Sequence, residues 1–108
     1  MDDRCDFDKD IEEEYTQKII QLPNFAAPYN ERGAFYSACG KYDEAINDFD
    51  EAIKLDPGFF TAYYNRARTH MQKGNFIQAR ADVNRVLQIE PDYQSAHALN
   101  AKLQKLGY

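Results

Sequence analysis

Hydrophobic residues recur at steps of three and four along most of the chain, a pattern that is typical of helices with one buried face. The clearest stripe comprises Tyr42, Ala45, Ile46, Phe49, Ala52 and Ile53. Glycines and prolines separate the stripes from one another. The pattern predicts an all-α chain with six helices, at about residues 7–22, 26–39, 42–55, 60–73, 76–89 and 94–106.

The helix breakers are periodic. Proline recurs every 34 residues, at Pro23, Pro57 and Pro91, and an aromatic residue stands two places after each. A fixed period of this length indicates a stacked array of helical hairpins. We therefore divide the chain into an acidic tail at 1–6, a half repeat at 7–25, full repeats at 26–59 and 60–93, and a capping helix at 94–108.

Each full repeat contains an arginine and an aspartate at matching distances from its turn. Residues equally distant from the turn face each other in an antiparallel helix pair, and Arg32 and Asp48 each lie eight residues from Gly40. Arg66 and Asp82 have the same spacing in the second repeat. The spacing predicts one structural ion pair in each repeat. The small residue after each arginine would let the two helices approach closely.

Together these positions resemble the tetratricopeptide repeat family. The first copy supplies Tyr29, Arg32-Gly33, Tyr36, Ala45, Phe49, Ala52 and Pro57, and the second supplies Tyr63, Arg66-Ala67, His70, Ala79, Val83, Val86 and Pro91. The resemblance covers about residues 26–101, and more weakly 7–25. It implies a right-handed helical solenoid of two full repeats with a half repeat at each end, whose first helices line a concave groove.

The resemblance implies a non-enzymatic module that binds a peptide or protein segment in this groove. The side chains that the hairpin packing leaves uncovered predict the lining: Asn30, Glu31, Ala34, Tyr64, Asn65, Arg68, Met71, Leu99, Lys102 and Lys105. Tyr64, expected to be exposed beside Arg68 and Met71, suits a peptide anchor. Because Arg68, Lys102 and Lys105 are basic, we expect the partner segment to be acidic or to present a carboxylate.

One well-known subclass of the family binds the C-terminal tails of Hsp70 and Hsp90 through a clamp of lysine, asparagine and arginine. The matching positions here are Asn30, Ala34, Asn65, Ser95 and Leu99. Only Asn65 has the side chain that the clamp requires. We therefore do not expect this chain to bind Hsp70 or Hsp90 tails.

The alternative function is structural, as a segment of a longer repeat array or as a scaffold that associates with itself through its terminal helices. Residues 1–59 carry 15 acidic and 6 basic residues, net −9, whereas residues 60–108 carry 3 and 7, net +4. The first helix offers an apolar strip of Phe7 and Ile11, and the last offers Leu99, Leu103 and Leu106. These two strips could meet end to end in a contact that does not close on itself.

Other function classes find little support. The overall charge of −5 argues against nucleic acid as a partner, and no apolar run is long enough to cross a membrane. We find no phosphate-binding loop, catalytic motif or metal motif, and we expect no cofactor. Two cysteines, Cys5 and Cys39, make no disulfide framework, so we expect unrelated reduced thiols. A polar start without a signal region favours a cytoplasmic location.

Overall fold

The computed structural model describes residue 5 and residues 8–108. Six helices form this part of the chain: α1 (Lys9–Gln21), α2 (Ala26–Ala38), α3 (Tyr42–Leu55), α4 (Phe60–Lys73), α5 (Phe76–Ile89) and α6 (Gln94–Lys105). The predicted all-α helical repeat is confirmed for the described residues. Phe7, at which the first helix was expected to begin, lies outside them.

The helices pack in sequence as antiparallel hairpins. α2 packs against α3 and α4 packs against α5, while α3 and α4 join the two hairpins. The turns of the hairpins contain Gly40 at φ 79° and Gly74 at φ 81°. A side chain disfavours this left-handed backbone, so glycine at both positions lets the chain reverse without strain.

Within the first hairpin, a small residue faces a large one. A Cβ atom added at Gly33 would lie only 2.6 Å from the ring of Phe49, which is fully buried. The second hairpin has Ala67 and Val83 buried together in one cluster with Ala79, Leu99 and Leu103. Close approach of the paired helices therefore depends on size complementarity at equivalent places in the two repeats.

One forked ion pair links the two helices within each hairpin. Arg32 donates to both carboxylate oxygens of Asp48, at 2.8 Å each. Arg66 donates to Asp82 at 2.9 and 2.7 Å. These hydrogen bonds are the main cause of the raised pKa of each guanidinium. Both aspartates are buried, so the pairs fix the register of the hairpins where few other polar groups lie.

The same arginines also reach back to the preceding helix. Arg32 donates to Thr16 Oγ1 of α1 at 3.3 Å, and Arg66 donates to Asp50 Oδ1 of α3 at 2.8 Å. Thr16 and Asp50 stand 34 residues apart, at equivalent places in the repeat. Each arginine therefore ties three successive helices together. In the part of the chain that the structure describes, the second arginine has two carboxylate partners, whereas the first has one.

The prediction of two unrelated reduced thiols is wrong, because Cys5 and Cys39 form a disulfide. Cys39 is buried directly after α2, and the chain before α1 returns to it. Their separation of 34 residues means that the bond joins equivalent places in neighbouring repeats. The number of cysteines in the sequence does not indicate that these two thiols lie close together.

Other contacts of α1 with α2 are largely polar. Tyr36 donates to Glu12 Oε1 at 2.8 Å, and burial together with this hydrogen bond raises the pKa of Tyr36 to about 12. Ile19 is the one residue of α1 that is buried, while Ile11 and Ile20 are exposed. The first helix is therefore attached through few apolar contacts.

The last helix is seated more firmly. Leu99 and Leu103 are buried against α5, and Arg80 of α5 donates to Asn100 and, at 2.9 Å, to the carbonyl oxygen of Tyr108. The predicted apolar strip of Leu99, Leu103 and Leu106 at this end is therefore wrong for its first two members. Leu106 is the only one of the three that is exposed.

Candidate functional site: a cavity between the first helices of the two repeats

A cavity of about 150 Å³ opens between α2 and α4. Its lining is contributed by three helices: Ala34, Ser37 and Ala38 of α2, Phe49 of α3, and Asn65, Arg68 and Gln72 of α4. Ala34 and Arg68 are exposed, whereas Phe49 forms part of the buried core. The cavity thus has an apolar floor and a polar rim, which is the usual composition of a ligand pocket.

A chain of hydrogen bonds holds the polar rim in place. Thr69, which is fully buried, donates its hydroxyl proton to the backbone oxygen of Asn65 at 2.9 Å. Since that proton is used, Ser37 must donate to Thr69 Oγ1, at 2.9 Å. Nearer the start of both helices, Asn65 Nδ2 donates to Asn30 Oδ1 at 3.0 Å. These bonds cross from α2 to α4 and keep the two walls of the cavity at a fixed distance.

Arg68 is positioned by aromatic side chains. Its guanidinium carbon lies 5.8 Å from the centre of the Tyr64 ring, and Tyr64 in turn meets the Tyr93 ring edge-on at 5.3 Å. Among the residues that the structure describes, Arg68 forms no ion pair. A contact with a ring face orients the guanidinium and leaves its N–H groups available.

The remaining residues of the predicted lining lie in different surroundings. Glu31 is exposed, and its Oε2 atom lies 3.9 Å from Nζ of Lys18 in α1. Met71 and Tyr64 are partly buried against the cluster below α6, which comprises Ala67, Ala79, Val83, Leu99 and Leu103. The prediction of a freely exposed Tyr64 is therefore wrong. Leu99 is only 7% exposed and belongs to that cluster rather than to a binding surface. Lys102 and Lys105 are exposed on α6 and do not line the cavity.

The helix faces that the hairpin packing leaves uncovered also include Ser37 and Gln72, although the predicted lining omitted them. Phe49 and Thr69 were not assigned to the site. Phe49 was expected only in helix packing; its fully buried ring lies beneath the floor of the cavity. Thr69 has no equivalent in the first repeat, where Phe35 stands, so the period gave no signal for it.

The histidines lie outside this cavity. His70 is partly buried, and burial lowers its pKa; its Nδ1 atom lies 3.4 Å from Asn75 Nδ2. His97 is exposed on α6, with Nε2 2.6 Å from the carbonyl oxygen of Pro91. Across residue 5 and residues 8–108, no cluster of histidine, cysteine and acidic side chains could hold a metal ion. In the same residues, no helix is long and apolar enough to cross a membrane.

Comparisons with known proteins agree with this architecture. Residues 33–74 match the family model described as TPR repeat, and residues 60–93 match the model described as tetratricopeptide repeat. Sperm-associated antigen 1 of Rattus norvegicus is 31% identical over 91 residues, which is 84% of this chain and 10% of that protein. The chain therefore spans about a tenth of the length of this relative.

Two solved structures share the fold over most of the chain. The second TPR domain of human RPAP3, in complex with the HSP70 peptide SGPTIEEVD, has a TM-score of 0.81 and 29% identity, and the match covers 86% of this chain and 78% of that one. The first TPR of Spaghetti (RPAP3), bound to the HSP90 peptide SRMEEVD, has a TM-score of 0.84 at 24% identity, over 94% and 85% of the two chains. At that identity the second match shows the fold alone.

These structures correct one expectation. We did not expect Hsp70 or Hsp90 tails as partners because four of the five clamp positions lack the required side chain. A similar domain does bind such a tail, so that expectation is wrong. Its physical weakness is that a carboxylate can be bound by any suitably placed donors, and Arg68 supplies donors at a position that the clamp does not include. Matches to both family models, together with the stacked helical hairpins, show that this chain belongs to the tetratricopeptide repeat family, a family of protein-interaction modules.

Proposed function

We propose that the chain is a non-enzymatic module that binds an acidic peptide segment across the face formed by α2 and α4, and that C-terminal tails of the Hsp70 and Hsp90 kind belong to its ligand class. The observation that carries this proposal is the guanidinium of Arg68 at the rim of the cavity. Among the described residues no carboxylate lines this cavity, and the one charged group of its lining is basic.

Electrostatic complementarity supports the acidic class of ligand. The peptides bound by the two RPAP3 domains, SGPTIEEVD and SRMEEVD, both end in the sequence EEVD, in which three of the four residues are acidic. In this chain the exposed cations Arg68 of α4 and Lys102 of α6 stand 34 residues apart, at equivalent places in the repeat period. A row of cations attracts an acidic segment and sets its orientation more than it adds raw affinity.

Calorimetry with two peptides tests the proposal. The chain should bind SGPTIEEVD, and it should bind at least about fivefold more weakly to SGPTIQQVN with an amidated C-terminus, since a contributing interface group is worth about 1 kcal/mol or more. Affinity for the acidic peptide should also fall as salt screens the charges. Equal affinity for both peptides, or no binding of either, would contradict the proposal.

A second candidate function is that of a structural segment, favoured by the uncovered face of α6. Ala101 stands in register with Gly33 and Ala67, both of which are buried against the second helix of their hairpins. Ala101 is exposed, and so is His97 one turn before it. This face has the composition of a packing surface, so it could receive a further repeat.

The cytoplasmic location expected from the sequence stays a prediction. The disulfide between Cys5 and Cys39 weighs against it, because such bonds persist mainly in oxidising compartments.

A further inference from the structure

The geometry points to the cavity between α2 and α4 as a pocket for a single carboxylate of the bound peptide, with Arg68 as its cation and Gln72 and Asn65 as its neutral donors. This inference rests on the proposed function and goes further, since it assigns one acidic group of the ligand to one place on the chain. The carboxylate can come from an acidic side chain or from the peptide's C-terminus, and the experiment below separates these sources.

The rim of the cavity has hydrogen-bond donors that its own internal hydrogen bonds do not use. The one hydroxyl proton of Ser37 goes to Thr69 Oγ1 and is not available to Gln72 Oε1, which lies 3.4 Å from Ser37 Oγ. Neither contact uses the amide NH₂ of Gln72. Asn65 gives one amide hydrogen to Asn30 Oδ1 and keeps the other. The hydroxyl protons of Ser37 and Thr69 are both directed along the rim. The groups that remain for a ligand include N–H donors on two side chains, which suits an acceptor.

The cation is already oriented for such a ligand. Arg68 rests on the ring of Tyr64, and Tyr64 is itself held by Tyr93 and by the cluster below α6. Because no described carboxylate pairs with Arg68, the incoming group displaces none of the ion pairs among the described residues. A guanidinium that is fixed before binding loses less side-chain entropy on binding, and it binds a carboxylate with two parallel hydrogen bonds.

The size and the floor of the cavity fit a small group with an apolar stem. A volume of about 150 Å³ matches that of engineered cavities that accept one benzene molecule. Ala34 and Ala38 supply the exposed apolar surface, above the fully buried ring of Phe49. A carboxylate on one or two methylene groups can therefore place its stem on the floor and its oxygens at the rim.

A cycle of one variant against four altered peptides tests the pocket. The peptides are SGPTIEEVD with each glutamate changed to glutamine in turn, with the aspartate side chain changed to asparagine, and with the C-terminus amidated. Arg68→Gln should lower the affinity for the parent peptide about tenfold. For one of the four altered peptides, the same variant should cause no further loss, and that peptide identifies the carboxylate in the pocket.

Two further variants separate a pocket from a general charge effect. Arg85→Gln removes an exposed cation of α5 that does not line the cavity, and it should leave every affinity unchanged. Ala34→Leu fills the cavity without changing charge and should weaken the parent peptide by a similar factor to Arg68→Gln. Equal losses with all five peptides in Arg68→Gln, or full affinity in Ala34→Leu, would overturn the pocket while leaving the proposed function standing. Failure of the unaltered chain to bind the parent peptide would overturn both.

Discussion

At the scale of single residues, the two Arg–Asp pairs are alike in geometry, but the arginines differ in how many described carboxylates they contact. Within residues 8–108, Asp48 is the one carboxylate that pairs with Arg32, whereas Arg66 pairs with both Asp82 and Asp50. Removing one partner of a buried pair is costly because the other charge stays behind without compensation. The two arginines should therefore respond differently to loss of the aspartate in their own hairpin.

We expect Asp48→Ala to lower the free energy of unfolding by about 3 kcal/mol, at the low end of the range for breaking a buried pair. Asp82→Ala should cost roughly 1 kcal/mol less, since Asp50 still accepts from Arg66. Urea denaturation measures both losses. The double variant Asp50→Ala/Asp82→Ala removes both carboxylates that pair with Arg66, and it should be as unstable as Asp48→Ala. An equal loss in the two single variants would contradict the role given to Asp50.

Spacing could place these aspartates because distance from the turn decides which residues face each other in a hairpin. Spacing could not find the links to Thr16 and Asp50, since the way one hairpin stacks on the next is not set by the residues around the turn. The same limit explains Leu99. Its uncovered position within a hairpin suggested a binding surface, but stacking of α6 on α5 buries it.

At the scale of elements, α1 and α6 are held by different forces. α6 buries two leucines, whereas α1 buries only Ile19 and depends on polar contacts and on the disulfide. Its aromatic contact, Tyr15 with Phe35, has ring centres 5.9 Å apart. An element with few buried apolar contacts opens locally at low free-energy cost, so α1 should be the helix that responds first to a change in conditions.

Reduction of the disulfide should loosen α1. A cross-link that closes a loop of about 34 residues is worth roughly 3–4 kcal/mol in the chain-entropy account. Adding a thiol reductant should therefore lower the free energy of unfolding and speed amide hydrogen exchange in α1 more than in α4 and α5. A Cys5→Ser/Cys39→Ser variant serves as the control and should not respond to the reductant. Unchanged exchange in α1 of the parent chain would contradict this account.

At the scale of the whole molecule, the uncovered face of α6 and the opposite charges of the two halves bear on self-association. Phe7 lies outside the described residues, and burial of Leu99 and Leu103 removes most of the strip expected at the far end. Ala101 and His97 of α6 remain exposed, as does Leu106 directly after the helix. Any association through this end must therefore use a smaller apolar area, supported by charge.

Light scattering across a range of salt concentrations tests the structural candidate. If copies associate through oppositely charged ends, the mass should exceed that of a monomer at low salt and should fall between 0.1 M and 1 M salt, as the Debye length shrinks from about 10 to about 3 Å. An Ala101→Glu variant places a charge on the uncovered face of α6 and should abolish the increase. A monomeric mass at high protein concentration and low salt would remove self-association from consideration.

The sequence determined the solenoid more completely than the site because a 34-residue period constrains every packing contact at least twice. The same local geometry is specified once in each repeat, by Gly40 and Gly74 at the turns and by Arg32 and Arg66 in the helices. The cavity has no such repetition. It forms where one repeat meets the next, and it depends on Thr69 and Gln72, whose equivalents in the first repeat are Phe35 and Ala38.

The disulfide between equivalent places in neighbouring repeats also sets how the chain would respond to mechanical load. If the molecule were pulled from its two ends, force would pass through the Cys5–Cys39 bond and bypass the backbone between them. The chain between the two cysteines, 34 residue steps long, would then add no length to the stretched molecule, although fully extended it would span about 110–120 Å. α1 and α2 would stay out of reach of the force until the bond is reduced, and thiol chemistry would control the extensibility of this end of the array.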